Sequence, residues 1–234
     1  MQSVYDYLKP AIPSDHCHQT RAIDLVAKKL QSVRPRIIVD LGCGRGDSVE
    51  FFRKLAPEAK WIGVDIAESP EVLQRTRNDA EFVTYDGICL PFEHGSTDLI
   101  YTNQVFEHVR YPEALLKEIC RVLASDGLAI GQTSQLEPYH SYSYWNFTVY
   151  GFKKICEDAG LGMLELRPGI DANTLFRRSY LGRPKEYSKW FKEESPLNVD
   201  IEREAKNQKR GAQTVNFRKL MLCGQFCFIL GKLI

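Results

Sequence analysis

Three glycines at alternate positions, Gly42, Gly44 and Gly46, follow directly on the apolar run Ile37-Ile38-Val39-Asp40-Leu41. Glycines at that spacing let a chain turn sharply and let a ligand touch backbone without meeting a Cβ atom. A helix that starts near Asp47 would point its unsatisfied amides at that ligand. About twenty residues on, the run Lys60-Trp61-Ile62-Gly63-Val64 ends in Asp65. A carboxylate in that place can accept hydrogen bonds from both hydroxyls of a ribose. Together these features describe a pocket for an adenosine-containing cofactor. The glycine pattern is GxGxG rather than the GxGxxG of dinucleotide sites, and Asp47 would sit beside a pyrophosphate, which favours a cofactor without phosphates.

Positioning these residues takes a layered fold. Strand patterns at 36–41, 60–65, 81–86, 97–103, 128–133 and 161–166 alternate with helical patterns at 18–30, 47–55, 71–77, 112–123 and 149–159. Strands separated by helices imply parallel pairing with right-handed crossovers. With a last strand near 225–233, the expectation is an α/β fold: a doubly wound, mostly parallel, seven-stranded sheet with helices on both faces. Ligands of such sheets lie beyond the carboxyl ends of the strands, near the switch in strand order. The expected organisation is an N-terminal cap over 1–35, a cofactor core over 36–168, a helical insertion over 169–222 that serves as lid or interface, and the last strand over 223–234.

Bulk properties narrow the field. A formal net charge of +1 gives no global field that draws the protein to nucleic acid or anionic membrane. No segment approaches the roughly 20 apolar residues of a membrane span. The seven cysteines form no CxxC pair and read as reduced, mostly buried thiols of a cytoplasmic protein. His16, Cys17 and His18 lie close together but lack a partner cluster, so no metal is expected; this segment is expected to lie over the cofactor.

The stretches Val39 to Gly46, Trp61 to Ile66, Tyr85-Asp86-Gly87, Leu90-Pro91-Phe92, Asp98-Leu99-Ile100, Val105 to Val109 and Leu115 to Leu123 occur in order. Over residues 36 to 166 the chain resembles the class I S-adenosylmethionine-dependent methyltransferases. The resemblance implies that Asp40, Gly42, Cys43 and Gly44 hold the methionine end of S-adenosyl-L-methionine. By the same resemblance Asp65 binds the ribose, Ile66 packs on the adenine, Asp86 accepts from the adenine amino group beside Gly87, and Asn103 and Gln104 lie beneath the sulfonium.

Methyl transfer to a hydroxyl needs a base within hydrogen-bond reach. His140 and His108 are the candidates. His140 stands in the segment Glu137 to Phe147, whose Tyr139, Tyr142, Tyr144 and Trp145 suit a polar, ring-containing substrate. The stretch His140 to Phe147, followed by Thr148-Val149-Tyr150-Gly151-Phe152, resembles methyltransferases of bacterial polysaccharide or sugar-nucleotide biosynthesis. It points to O-methylation of a sugar or polysaccharide precursor, with N- or C-methylation of another metabolite, a nicotinamide-dependent oxidoreductase, or a non-catalytic partner protein as alternatives. The segment after strand four, Asn103-Gln104-Val105-Phe106, lacks the Pro-Pro-aromatic signature of amino-group methyltransferases. A homodimer through the insertion is compatible with the pattern.

Overall fold

The computed structural model describes residues 3–233. In chain order the helices and strands are α1 (Val4–Leu8), α2 (Ala22–Lys29), β1 (Ile37–Leu41), α3 (Val49–Leu55), β2 (Lys60–Ile66), α4 (Pro70–Leu73), β3 (Glu81–Tyr85) and β4 (Thr97–Asn103). They continue with α5 (Pro112–Val122), β5 (Leu123–Ser134), α6 (Val149–Asp158), β6 (Leu161–Pro168), α7 (Ala172–Tyr180), α8 (Pro196–Asn207), α9 (Ala212–Leu222) and β7 (Gln225–Lys232). Short 3-10 turns at Lys9–Ala11, Phe106–His108 and Lys185–Phe191 complete the list.

The strands form one seven-stranded sheet in the order β3-β2-β1-β4-β5-β7-β6. All neighbours pair in parallel except β7, which is antiparallel to both β5 and β6. The order reverses between β1 and β4, so ligands are expected beyond the tips of those two strands. Alternate residues of β1 feed two cores: Val39 and Leu41 join Phe106, Leu115, Leu116 and Phe152 on one face, while Ile38 joins Leu25, Val26, Phe52 and Tyr101 on the other. Burial of apolar side chains on both faces is what a parallel sheet requires, and Ile37, Ile38, Val39 and Leu41 reflect it.

The antiparallel strand has a simple cause. The chain leaves β6 at Pro168, and β7 begins opposite that residue, with Pro168 paired to Phe226. Gly169 N–H donates to the Gln225 carbonyl (2.8 Å) and Gly224 N–H to the Ile170 carbonyl (2.8 Å). An excursion that departs from and returns to the same edge must send its next strand backwards. The three helices α7, α8 and α9 are therefore attached at the carboxyl edge of the parallel strands, the ligand side.

Two sequence expectations are corrected. The helix expected at 71–77 ends at Leu73, because Arg75 turns back to donate to the Gly44 carbonyl (2.7 Å) and to stack on Phe82 (4.0 Å). The His16–His18 segment does not cover the cofactor loop. Buried Arg167 anchors Asp15 through two bonds (2.8 and 2.9 Å), and Asn216 donates to the carbonyls of Pro13 and His16. The segment is thus held against β6 and α9, and only Gln19, Thr20 and Arg21 at its end reach the ligand edge. Among the described residues no helix is long and apolar enough to cross a membrane.

Candidate active site

The glycine loop is shaped by the tips of β1 and β2. Gly42 N–H donates to the Val64 carbonyl (2.8 Å), and Gly44 N–H donates to the Asp65 carboxylate (2.7 Å). Gly42 has φ +74°, and a Cβ there would stand 2.2 Å from Val105 Cγ2, so both backbone conformation and space require glycine. Gly44 has φ +49°, and a Cβ there would stand 3.0 Å from Glu71 Cβ. Asp65 is half-buried at the end of β2. Desolvation raises its pKa, and the amides of Gly44 and Ile66 oppose that shift.

Asp40 lies underneath the loop. It is buried, accepts from the Ser48 hydroxyl, and is pushed up to about 7 by burial, with Asp65 and Asp47 adding to the rise. The Trp61 indole N–H donates in turn to Ser48 Oγ (3.2 Å). Cys43 is also buried, and its thiol is pushed up to about 12 by burial, which leaves it an inert packing group. Two desolvated acids, of which only Asp65 feels the nearby Arg75 guanidinium, suit a ligand that carries positive charge, as the sulfonium and ammonium of S-adenosylmethionine do.

The adenine end fits equally well. Ile66 is 39% exposed, unusual for an aliphatic side chain at a strand tip, and it stands beside Gly87, which has φ +89°. A flat base needs such an apolar face beside a backbone without a side chain. Asp86 is exposed; one of its oxygens accepts from the amides of Ile88 (2.9 Å) and Cys89 (2.7 Å), which lower its pKa. Its carboxylate therefore fixes its own turn as well as being available to a base.

At the tip of β4 a cavity of about 350 Å³ opens, walled by Gln19, Arg21, Asn103, Gln104, Gln132 and Gln225 with Ile170 and Phe191 from the insertion. Its amides form a chain: Gln132 Nε2 donates to Gln225 Oε1 (2.6 Å), and Gln225 Nε2 donates to Gln104 Oε1 (2.9 Å). Gln104 takes an αL backbone (φ +57°), and its Nε2 is buried without a partner. A strained residue with an orphaned donor at a strand tip marks a place prepared for a ligand.

The segment between β5 and α6 folds back over the turn at Phe106–His108. Tyr144 N–H and Trp145 N–H both reach the Glu107 carbonyl (2.7 and 3.2 Å). This brings His140 to His108, with perpendicular rings 5.3 Å apart. Burial lowers the His108 pKa. Glu107 is fully buried, accepts from Thr133 Oγ1 (2.9 Å), has Ser134 Oγ 3.2 Å away, and is pushed up to about 7 by desolvation. Tyr139, Tyr142, Tyr144 and Trp145 are exposed and do not line the cavity; the Trp145 indole N–H donates to the Val109 carbonyl (2.9 Å). The aromatics expected at an acceptor pocket thus stand outside this cavity, whose wall is made of polar amides.

Residues 39–131 match the profile of a family described as a methyltransferase domain. The demethylmenaquinone methyltransferase of Thermus thermophilus is 34% identical over 114 residues, which cover 46% of this chain and 49% of that protein. The trans-aconitate 2-methyltransferase of Methylobacterium nodulans is 32% identical over 123 residues, covering 51% and 46%. Residues 39–131 of the chain are thus similar to a methyltransferase domain. The names of these relatives are those of methyltransferases, not of nicotinamide-dependent oxidoreductases. The chain spans about half the length of these two curated relatives. The crystal structure of the [4+2]-cyclase SpnF superimposes with a TM-score of 0.60 at 14% identity, covering 98% of this chain and 94% of that one, a likeness of fold alone.

Sequence reasoning missed several residues of this domain. Arg75 and Ser48 brace the glycine loop, yet nothing in their spacing marks them. Glu107 lies inside a recognised stretch but gives no sign of full burial. Gln225 did carry a signal: it is a polar residue directly before the apolar run Phe226 to Leu230.

Proposed function

We propose that this protein transfers a methyl group from S-adenosylmethionine to a hydroxyl of a small polar molecule held at the tip of β4. The observation that carries the reading is the polar cavity. Its wall of four glutamines, Asn103 and Arg21 offers both donors and acceptors. Such a wall suits a polyol or an oxygen-rich acid better than an apolar ring system. A sugar or sugar-nucleotide precursor belongs to that class. The names of the relatives carry other acceptors, a menaquinone precursor and trans-aconitate, the second of them an acid.

Asp65 and the Gly42 to Gly44 loop would bind the ribose and methionine portions, Ile66 and Gly87 the adenine, and Asn103 and Gln104 would flank the reacting sulfonium. Bound there, the cofactor supplies an electrophilic methyl group. The chain's own contribution is alignment: a displacement gains rate when acceptor and donor are held in line and water is excluded. Ile170 and Phe191 supply the apolar part of that enclosure.

The test is an untargeted transfer assay with methyl-labelled S-adenosylmethionine and fractionated cellular metabolites, read by mass spectrometry. Label on the oxygen of a polar small molecule supports the proposal. Label only on nitrogen, carbon or macromolecule, or cofactor binding with no transfer at all, overturns it.

A further inference from the structure

We propose that Glu107, His108 and His140 form a binding site for one divalent transition-metal cation. Each offers one ligand atom, and the three atoms lie within 4.8 Å of one another. Two imidazoles and one carboxylate are a donor set that suits zinc, iron, cobalt or manganese, with coordination positions left open.

The surroundings are those of supported ligands. Glu107 is fully buried and held by the hydroxyl of Thr133 (2.9 Å). His140 Nδ1 lies 3.3 Å from the Pro138 carbonyl, a contact that leaves the Nε2 lone pair for a metal when Nδ1 carries the proton. Glu137 stands 3.8 Å from His140 and is fixed by Ser134 Oγ (2.6 Å) and Gln225 Nε2 (2.8 Å). Holding ligands this way orients them before the ion arrives.

Charge decides between this cluster and the other of its kind. His18, Glu194 and Glu202 also bring ligand atoms within 4.8 Å of one another. There, however, the buried Lys219 ammonium already bonds both carboxylates. Around Glu107 no lysine or arginine forms an ion pair with the carboxylate among the described residues. A buried carboxylate without a cationic partner is costly, and a metal ion removes that cost.

The cluster adjoins the acceptor cavity through Gln225, which lines that cavity and bonds Glu137. A cation there would supply Lewis acidity toward an acceptor oxygen. That use rests on the methyl-transfer reading; the binding itself does not.

The full-length protein, stripped with a chelator, is titrated with Co²⁺ and followed by visible absorption, with Zn²⁺ competition by calorimetry. One equivalent should bind, with ligand-field bands that Zn²⁺ abolishes. His140→Ala and Glu107→Gln should each weaken binding by more than the roughly 10–100-fold that loss of a supporting contact costs. His18→Ala should leave stoichiometry and bands unchanged. Should Glu107→Gln fail to fold by circular dichroism, His140→Ala, at a more exposed side chain, decides alone. No saturable band, or bands that persist in His140→Ala, overturns the site. Co²⁺ bands without S-adenosylhomocysteine binding keep the metal site and sink the methyl-transfer reading. Methyl transfer with no metal binding does the reverse.

Discussion

Replacement of Asp40 by asparagine should stabilise the protein, by an amount that depends on pH in a specific way. Burial raises the folded-state pKa of Asp40 from its ordinary 3.8 to about 7. Below about pH 4 the carboxyl is protonated in both folded and unfolded chains and exacts no penalty. As pH rises toward 7 the unfolded chain ionises while the folded chain keeps its proton. Stability is then lost at about 1.4 kcal/mol per pH unit, levelling near ~4 kcal/mol once both forms are ionised. Asparagine retains the shape and an acceptor for Ser48 but cannot ionise. Urea unfolding of both proteins, measured from about pH 5 to about pH 8, should show the advantage of Asp40→Asn grow by roughly 2–3 kcal/mol. The difference between the two proteins cancels the titration of other groups. A pH-independent difference would mean that Asp40 is ionised in the folded protein throughout, and the desolvation argument for the site would be wrong.

Cofactor binding should draw on the same group. Positive charge brought near Asp40 lowers its pKa, so calorimetry near pH 7 in buffers of different ionisation enthalpy should report release of about half a proton. Retention of this signal in Asp40→Asn would assign it elsewhere. Gly42→Ala should destabilise the fold by roughly 1–2 kcal/mol from its αL backbone alone, plus a steric cost against Val105. Adding Val105→Ala should recover the steric part and leave the backbone part; chemical denaturation of the two variants separates them, and full recovery would contradict the conformational argument. Asp65→Ala should weaken S-adenosylhomocysteine binding by about 1–3 kcal/mol through lost charge-assisted hydrogen bonds, and unchanged affinity in calorimetry would displace the ribose from this position.

Much of the cofactor side was legible in the chain because its determinants are local. Gly42 and Asp65 each stand at a strand end, and apolar runs locate strand ends without knowledge of their partners. The helix from Pro112 and the strand from Thr97 to Asn103 were likewise readable from periodicity and proline position. The cavity proposed to hold the acceptor was not legible, because its wall is assembled from five separate places: the residues before α2, the tips of β4, β5 and β7, and the insertion. Aromatic density misled here. Tyr139, Tyr142 and Tyr144 cluster in sequence, yet the fold leaves them exposed, since their backbone is tied to Glu107 rather than to the cavity.

Sequence by itself determined the layered α/β architecture and the strand ends at which Asp40, Gly42 and Asp65 stand. These follow from side-chain periodicity and from residues that act within a turn or two of themselves. Tertiary structure alone decided that Asp40 is desolvated, that Arg75 curls back onto the glycine loop, and that His140 meets His108 beside a buried Glu107. Those outcomes depend on distance through space and on exclusion of water, and neither is written in the order of residues along the chain.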